Sequence, residues 1–292
     1  MKHLKLIILS LFFLLISAGV IYIFFIPFTY KINFKTKNAP WFIYHTLLKE
    51  NKISFLDNDK EDFRFTYSSK DKAIRFDWEL TSKSYQHTQV EVYVFSLKDK
   101  WLEKLYVIFG NSTIINEAIE SLKLFYHNLR LDDKNYRWGK PQRASFPQST
   151  CLCQKVKSKI SEKANQMNRN IDILSFYLPK GEKSPPLLYI NNLDLKQQII
   201  EFDFCFKVPQ GYEYKGEDKH LFVDIKSEIN GQKQTFFGNY NESHRSWFNL
   251  IQRLSNQRKK LNFPIVEVFF DSPFGESSDV NWRSELYFVE KN

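Results

Sequence analysis

Between Lys5 and Lys31 the chain passes through 25 residues without a charge, LIILSLFFLLISAGVIYIFFIPFTY, most of them Leu, Ile and Phe. A helix rises about 1.5 Å per residue, so roughly 20 such residues cover the hydrocarbon core of a bilayer. A cleaved signal peptide has a shorter apolar core, about 7–15 residues, ending at small residues. Ser17-Ala18-Gly19 imitates such a site, but a further mainly apolar stretch follows it. The expectation is therefore an uncleaved single-pass anchor over residues 1–30, with Tyr22, Pro27 and Tyr30 at the membrane interface. The flanks are nearly balanced, Lys2, His3 and Lys5 against Lys31, Lys35 and Lys37. A short amino-terminal tail normally stays in the cytoplasm, which favours an extracytoplasmic soluble region from Lys31 to Asn292.

That region is long enough for about two domains. Hydrophobic residues make up 43% of the chain and Phe alone contributes 28, so cores are available and wholesale disorder is excluded. Glycine, at 9, is too scarce for a scaffold of glycine-rich nucleotide loops. The net charge of +9 is spread along the chain apart from Arg258-Lys259-Lys260. Nucleic-acid binders gather basic residues on one face under a recognisable motif; none is present, so no nucleic-acid partner is expected. Cys151, Cys153 and Cys205 are too few for a disulfide framework and lack a fourth ligand for a metal. Packing as small apolar side chains is expected first and a disulfide second, with the redox compartment left open.

The fold class expected is α+β. Residues 31–138 read as one domain. It opens with an extended stretch, Tyr30–Thr36, and a helix, Trp41–Glu50, started by Pro40. Alternating segments follow at Phe63–Tyr67, Ile74–Trp78 and Gln89–Leu97, where Val90, Val92 and Val94 share a face. Ile115, Ile119, Leu122 and Tyr126 then recur at helical spacing within Ile114–Leu129. Residues 139–148, with Pro141 and Pro147, read as a linker. From 149 to 292 an order repeats. Strand Cys151–Val156, helix Ser158–Ile173 and strands Leu187–Ile190 and Gln198–Val208 come first. Strand His220–Ser227, extended Thr235–Gly238, helix Ser243–Lys260 and strands Ile265–Phe270 and Glu285–Val289 come second. A duplicated strand–helix–strand–strand unit predicts one sheet with its helices on one face.

Two family resemblances go with these patterns. Asn33-Phe-Lys-Thr-Lys-Asn-Ala-Pro40, with the strands and long helix after it, resembles the START-like (polyketide-cyclase-like, SRPBCC) helix-grip domain, which implies a cavity beneath the last helix. Phe237-Gly-Asn-Tyr240, Phe263-Pro-Ile-Val-Glu-Val-Phe-Phe-Asp-Ser-Pro273 and Trp282-Arg-Ser-Glu-Leu-Tyr-Phe-Val289 resemble the GyrI-like small-molecule-binding domain, also the effector-binding part of some bacterial transcription activators. That resemblance implies a cleft with aromatic walls and a carboxylate for cationic or amphipathic compounds. Its Thr-Glu-Leu ending carries over onto Ser284-Glu285-Leu286, and its Gly-x-Tyr onto Gly238 and Tyr240. The chain departs from it in a diverged first repeat, and in an anchor where a helix-turn-helix would stand.

The residues themselves give Glu285 and Tyr287 one face of the last strand, Leu286 and Phe288 the other. Glu285 and Tyr287, with Glu267 and Phe269 on the neighbouring strand and Trp282 and Tyr240 completing the walls, make up the expected ligand site. Desolvated cation–π contacts are worth about 2 kcal/mol, and an opposite charge adds to them. The competing reading pairs Glu285 with a nearby Lys or Arg and leaves the rings as core. Phe202, Phe204 and Phe206 read as core, with Asp203 as a pseudo-equivalent of Glu285. His3, His45, His87, His127, His220 and His244 are scattered, and no zinc helix, nucleophile elbow or phosphate loop appears. No catalytic residue, metal or cofactor is expected, and no protein partner is indicated. The expected function is membrane-anchored binding or sensing of a small molecule. An envelope hydrolase using Glu285 as base with Tyr240, or a partner-binding protein with degenerate pockets, are the alternatives.

Overall fold

The computed structural model describes residues 2–27, 29–49, 53–58, 62–69, 74–84, 87–97, 100–110, 112–132, 134–181, 184–271 and 278–291. Phe28, Glu50, Ser272 and Pro273 of the segments quoted above lie outside them. Helix α1 (Lys2–Phe24) is the apolar segment. Over Leu6–Phe24 it is long and apolar enough to cross a membrane, and none of that stretch is buried in protein.

Two compact units follow from the contacts: Met1–Pro40, Thr46–Lys83 and His87–Arg130 in one, Trp41–His45, Ser84–Gln86 and Leu131–Asn292 in the other. In the first unit, β1 (Tyr30–Thr36), β2 (Ile53–Asn58), β3 (Asp62–Ser69), β4 (Ile74–Ser84) and β5 (His87–Ser96) form a sheet in the order β1-β5-β4-β3-β2. Helix α2 (Pro40–Lys49) follows β1, while α3 (Lys100–Ile108) and α4 (Thr113–Asp132) follow β5. The alternation in β5 translates directly into burial: Val90, Val92 and Val94 are wholly inaccessible. Where the helix-grip resemblance implies a cavity beneath the last helix, described rings from sheet and helix meet: Phe34 packs on Tyr126 at 5.2 Å and Trp78 on Phe125 at 5.5 Å between centroids, with Phe65 stacked on Trp78 at 5.6 Å.

The second unit carries β6 (Arg137–Trp138), β7 (Gln142–Phe146), β8 (Ser149–Lys159), α5 (Lys163–Tyr177), β9 (Leu187–Asp194), β10 (Ile199–Lys207), β11 (Leu221–Lys226), β12 (Ile229–Phe237), α6 (His244–Asn256), β13 (Lys260–Phe269) and β14 (Arg283–Lys291). Among the described residues its sheet runs β11-β8-β10-β9-β13-β14-β12-β6, with β7 also on β12. Outward from the central β9·β13 pair the order reads alike on both sides, last strand then first strand of each strand–helix–strand–strand run. Helices α5 and α6 cover one face. Trp247, Phe248, Leu250 and Leu254 of α6 and Met167 and Leu174 of α5 are buried there, with Leu188, Phe202, Phe204, Leu286 and Phe288. The other face has its own cluster of Phe146, Tyr189, Ile229, Val266 and Val268.

Three expectations are corrected. Residues 139–148 are not a linker: Gln142–Phe146 pairs with β12 from Ile229 to Lys233, and Pro141 and Pro147 bracket that edge strand, where a missing donor costs nothing. The first unit ends at Arg130, and Arg137–Trp138 pairs with β12. Cys153 and Cys205, directly opposite on β8 and β10, form a disulfide, whereas Cys151 is free and buried. Burial pushes the Cys151 thiol up to about 11.

Candidate functional site

The candidate site begins at the end of β12. Gly238 adopts φ +146°, and a Cβ there would stand 2.9 Å from Cβ of Tyr136, so only glycine turns the chain at this point. The turn is fixed by the Gly238 N–H donating to the Trp282 carbonyl at 2.9 Å. It delivers Tyr240, whose ring meets Phe269 at 4.7 Å and Trp282 at 5.2 Å between centroids. The Tyr240 hydroxyl donates to the Arg283 carbonyl (3.0 Å) and accepts from the Asp271 N–H (2.8 Å). Burial raises this phenol well above its ordinary value. The group is a clamp between the β12, β13 and β14 ends, already used in both hydrogen-bonding roles.

These three rings wall a hollow of about 230 Å³ together with Met167 and Ile171 of α5 and Asp271. Asp271 accepts the Arg283 N–H on Oδ2 (2.6 Å), and its Oδ1 has no protein partner among the described residues. Sequence reasoning passed over Asp271, although it stands two residues beyond Phe269 and so continues the same side of the strand. A second hollow of about 360 Å³ shares Asn239 and Asn241 with the first and is more polar, reaching Glu242, Arg245 and Asp279.

Glu267 lies behind this wall, fully buried. Its carboxylate accepts from Ser284 Oγ (2.8 Å), Trp247 Nε1 (3.1 Å) and Ser243 Oγ (3.2 Å). Lys163, also fully buried, donates to Ser243 Oγ and to the Tyr240 carbonyl, so ammonium and carboxylate communicate through one hydroxyl. Burial lowers the Lys163 pKa, with Glu267 and Glu242 opposing. This pair stitches the start of α5 to the start of α6. Nothing in the sequence distinguished Lys163 from a solvated lysine.

The expected single cleft does not form from all six residues. Register puts Glu285 opposite Val268 and Leu286 opposite Glu267, so Glu285 and Tyr287 point to the face away from the helices. There Glu285 meets Lys233 at 3.0 Å and accepts from the Tyr287 hydroxyl at 2.6 Å. Burial alone would raise its pKa, but the Tyr287 hydroxyl and the Lys233 ammonium hold the carboxyl below its ordinary range. Glu285 thus has the lysine partner of the competing reading, although it is 8% exposed rather than out in solvent. Its base–tyrosine pairing with Tyr240 is not made. Asp203 shares this face and pairs with Lys226 at 2.7 Å, much as Glu285 pairs with Lys233.

No family model matches the chain, and no curated protein does. Among solved structures it is similar to the EcmrR–DNA complex in EcmrR-RPo, with 14% identity over 65% of this chain and 70% of that one and a TM-score of 0.43. The EcmrR C-terminal domain gives 13% identity, covering 52% of this chain and 98% of that one, at a TM-score of 0.43. SAV2435 bound to tetraphenylphosphonium gives 11%, covering 53% and 95%, at 0.37.

Proposed function

We propose that this is a membrane-tethered protein of GyrI-like, effector-binding type that takes a small cationic or amphipathic molecule into the Tyr240–Phe269–Trp282 hollow. The observation that carries the reading is the convergence of three aromatic rings and the Asp271 carboxylate on one recess. Rings offer their negative faces to a desolvated cation, and Asp271 supplies the opposing charge. The tether is α1, whose exposed Leu14, Leu15 and Phe24 have no protein cover and suit acyl chains better than water. The Cys153–Cys205 disulfide favours an oxidising compartment, and with it the extracytoplasmic side for the soluble region.

The test is calorimetric titration of the full chain in detergent micelles with benzyltrimethylammonium and with its uncharged neopentylbenzene analogue. Saturable binding of the cation alone is expected. Asp271→Asn and Trp282→Ala should each weaken it about tenfold, the equivalent of about 1.4 kcal/mol. Glu285→Gln should leave it unchanged. Equal binding of the neutral analogue, or binding lost only in Glu285→Gln, would refute the assignment.

A further inference from the structure

Helix α3 is inside out for a helix facing water. Among its described side chains the one well buried is Lys104, 6% exposed, while Trp101 (58%), Ile108 (50%) and the following Phe109 (73%) stand open. At 100° per residue, Trp101, Leu105, Ile108 and Phe109 fall on one continuous arc, with Leu102 and Tyr106 extending it. All of these are apolar or aromatic. Leu97, just before the helix, is exposed as well. The polar residues turn the other way: Glu103 accepts from Ser112 Oγ at 2.8 Å, and Lys104 goes inward. A soluble helix shows the reverse arrangement, apolar side in and charges out.

Where Lys104 goes explains what the apolar side faces. Its Nζ donates to the carbonyls of Tyr22 (3.1 Å), Ile23 (2.9 Å) and Ile26, the unsatisfied acceptors at the end of α1. It also lies 5.6 Å from the centroid of the Tyr22 ring. A cation at a helix carboxy terminus complements the helix dipole, so this is a C-cap provided in trans by α3. Two further bonds tie the same joint to the sheet: the Thr29 N–H donates to the Val94 carbonyl (2.8 Å), and the Ser96 N–H to Thr29 Oγ1 (3.0 Å). The end of α1 and α3 are therefore held together, and α3 sits within two residues of Phe24, where the span ends.

We infer that α3 is an interfacial helix, its Trp101–Ile108–Phe109 side lying in the headgroup region of the bilayer that α1 crosses. The inference rests on the reading of α1 as a membrane span. The occupant is a lipid surface rather than a protein, because the apolar side continues from the end of the span itself. Helices of this kind bury their apolar face about 5–10 Å into the headgroup boundary, and Trp and Tyr are the side chains enriched at that depth. The arrangement also makes α1 an integral part of the folded chain. Removal of α1 by cleavage would strip Lys104 of the Tyr22 and Ile23 carbonyls, two of its three acceptors.

The full chain is reconstituted into vesicles of phosphatidylcholine and phosphatidylglycerol, with and without bromine on the acyl carbons nearest the headgroup. Flotation after alkaline carbonate reads the tether, and tryptophan emission reads α3. The expected result is a vesicle-bound chain whose emission falls in brominated lipid by as much as one tryptophan's share of six, the fall disappearing in Trp101→Phe. An Ile108→Asp/Phe109→Asp double substitution should shift the Trp101 emission to the red while the chain still floats. A floating chain quenched equally with and without Trp101 overturns the interfacial helix and leaves the tether standing; a second copy covering the face would give that same outcome. A chain that does not float overturns the span and the inference together.

Discussion

Glu267→Gln should be the most damaging single-atom-scale change in the second unit, and its cost can be worked from the contacts. The substitution keeps volume but replaces one acceptor oxygen by an NH2. Three donors, Ser243 Oγ, Trp247 Nε1 and Ser284 Oγ, converge on the carboxylate at 2.8–3.2 Å. With the NH2 in the place of Oε1, Ser284 Oγ has to turn from donor to acceptor, and Lys163 loses its countercharge inside a fully buried site. Removing one member of a buried ion pair typically costs about 3–5 kcal/mol. At about 2–4 °C per kcal/mol for a unit of this size, the melting temperature should fall by about 6–20 °C. Lys163 can limit the damage by shedding its proton, since burial already lowers its pKa. The sign then follows from linkage. A lysine whose folded pKa lies below its unfolded value binds fewer protons folded than unfolded, so the stability of Glu267→Gln should climb with pH between those two values, more steeply than wild type. Thermal and denaturant unfolding of the full chain in micelles, followed by tryptophan emission, supplies both readings. Lys163→Met alone should be comparably harmful, leaving Glu267 short of a cation. The double substitution should cost clearly less than the two singles combined, because an apolar replacement removes both desolvated charges at once. A loss below about 1 kcal/mol for Glu267→Gln, or strict additivity in the cycle, would refute the relay through Ser243.

Two further outcomes are expected. The Cys153–Cys205 disulfide closes a separation of 52 residues, and the chain-entropy relation gives about 4 kcal/mol for such a loop. Replacing both cysteines by alanine should lower the melting temperature by about 8–16 °C in calorimetry, while no change would mean the two strands gain nothing from the link. Glu285 has a depressed pKa, so its contribution is present above the ordinary value of 4.5 and is lost as pH falls through the lower folded value. Acid-unfolding curves of Glu285→Gln should therefore be flatter below pH 4.5 than those of wild type, and identical acid limbs would show that the Lys233 and Tyr287 contacts do not favour the carboxylate.

How much of this was open to a reader of the sequence turns on register. Alternation in Phe63–Tyr67 and Gln89–Leu97, and the 3.6-residue spacing of Trp247, Leu250 and Leu254, need only local information, because period alone decides which side chains share a face. The same is true of α1. Within β13, Glu267 and Phe269 share a face on this rule, and within β14 so do Glu285 and Tyr287. Whether those two faces coincide depends on how the strands are aligned, and a slip of one residue exchanges them. The alignment is fixed by an irregularity between Asn262 and Val266 and by the long connection to Arg283, neither of which has a sequence period. The β7 strand was hidden because Pro141 and Pro147 read as breakers when they are strand ends, and α3 because Lys104 and Glu103 point inward against the usual rule. Lys163 is invisible for a deeper reason: a lysine at a helix start is ordinarily solvated, and only the arrival of Ser243 and Tyr240, some eighty residues later, gives it partners. Local pattern thus determines the elements and their faces, while the site depends on which faces are brought together, a property of long-range pairing. The single-cleft expectation failed at that step: Tyr240, Phe269 and Trp282 line one hollow with α5, while Glu285 and Tyr287 stand on the opposite face.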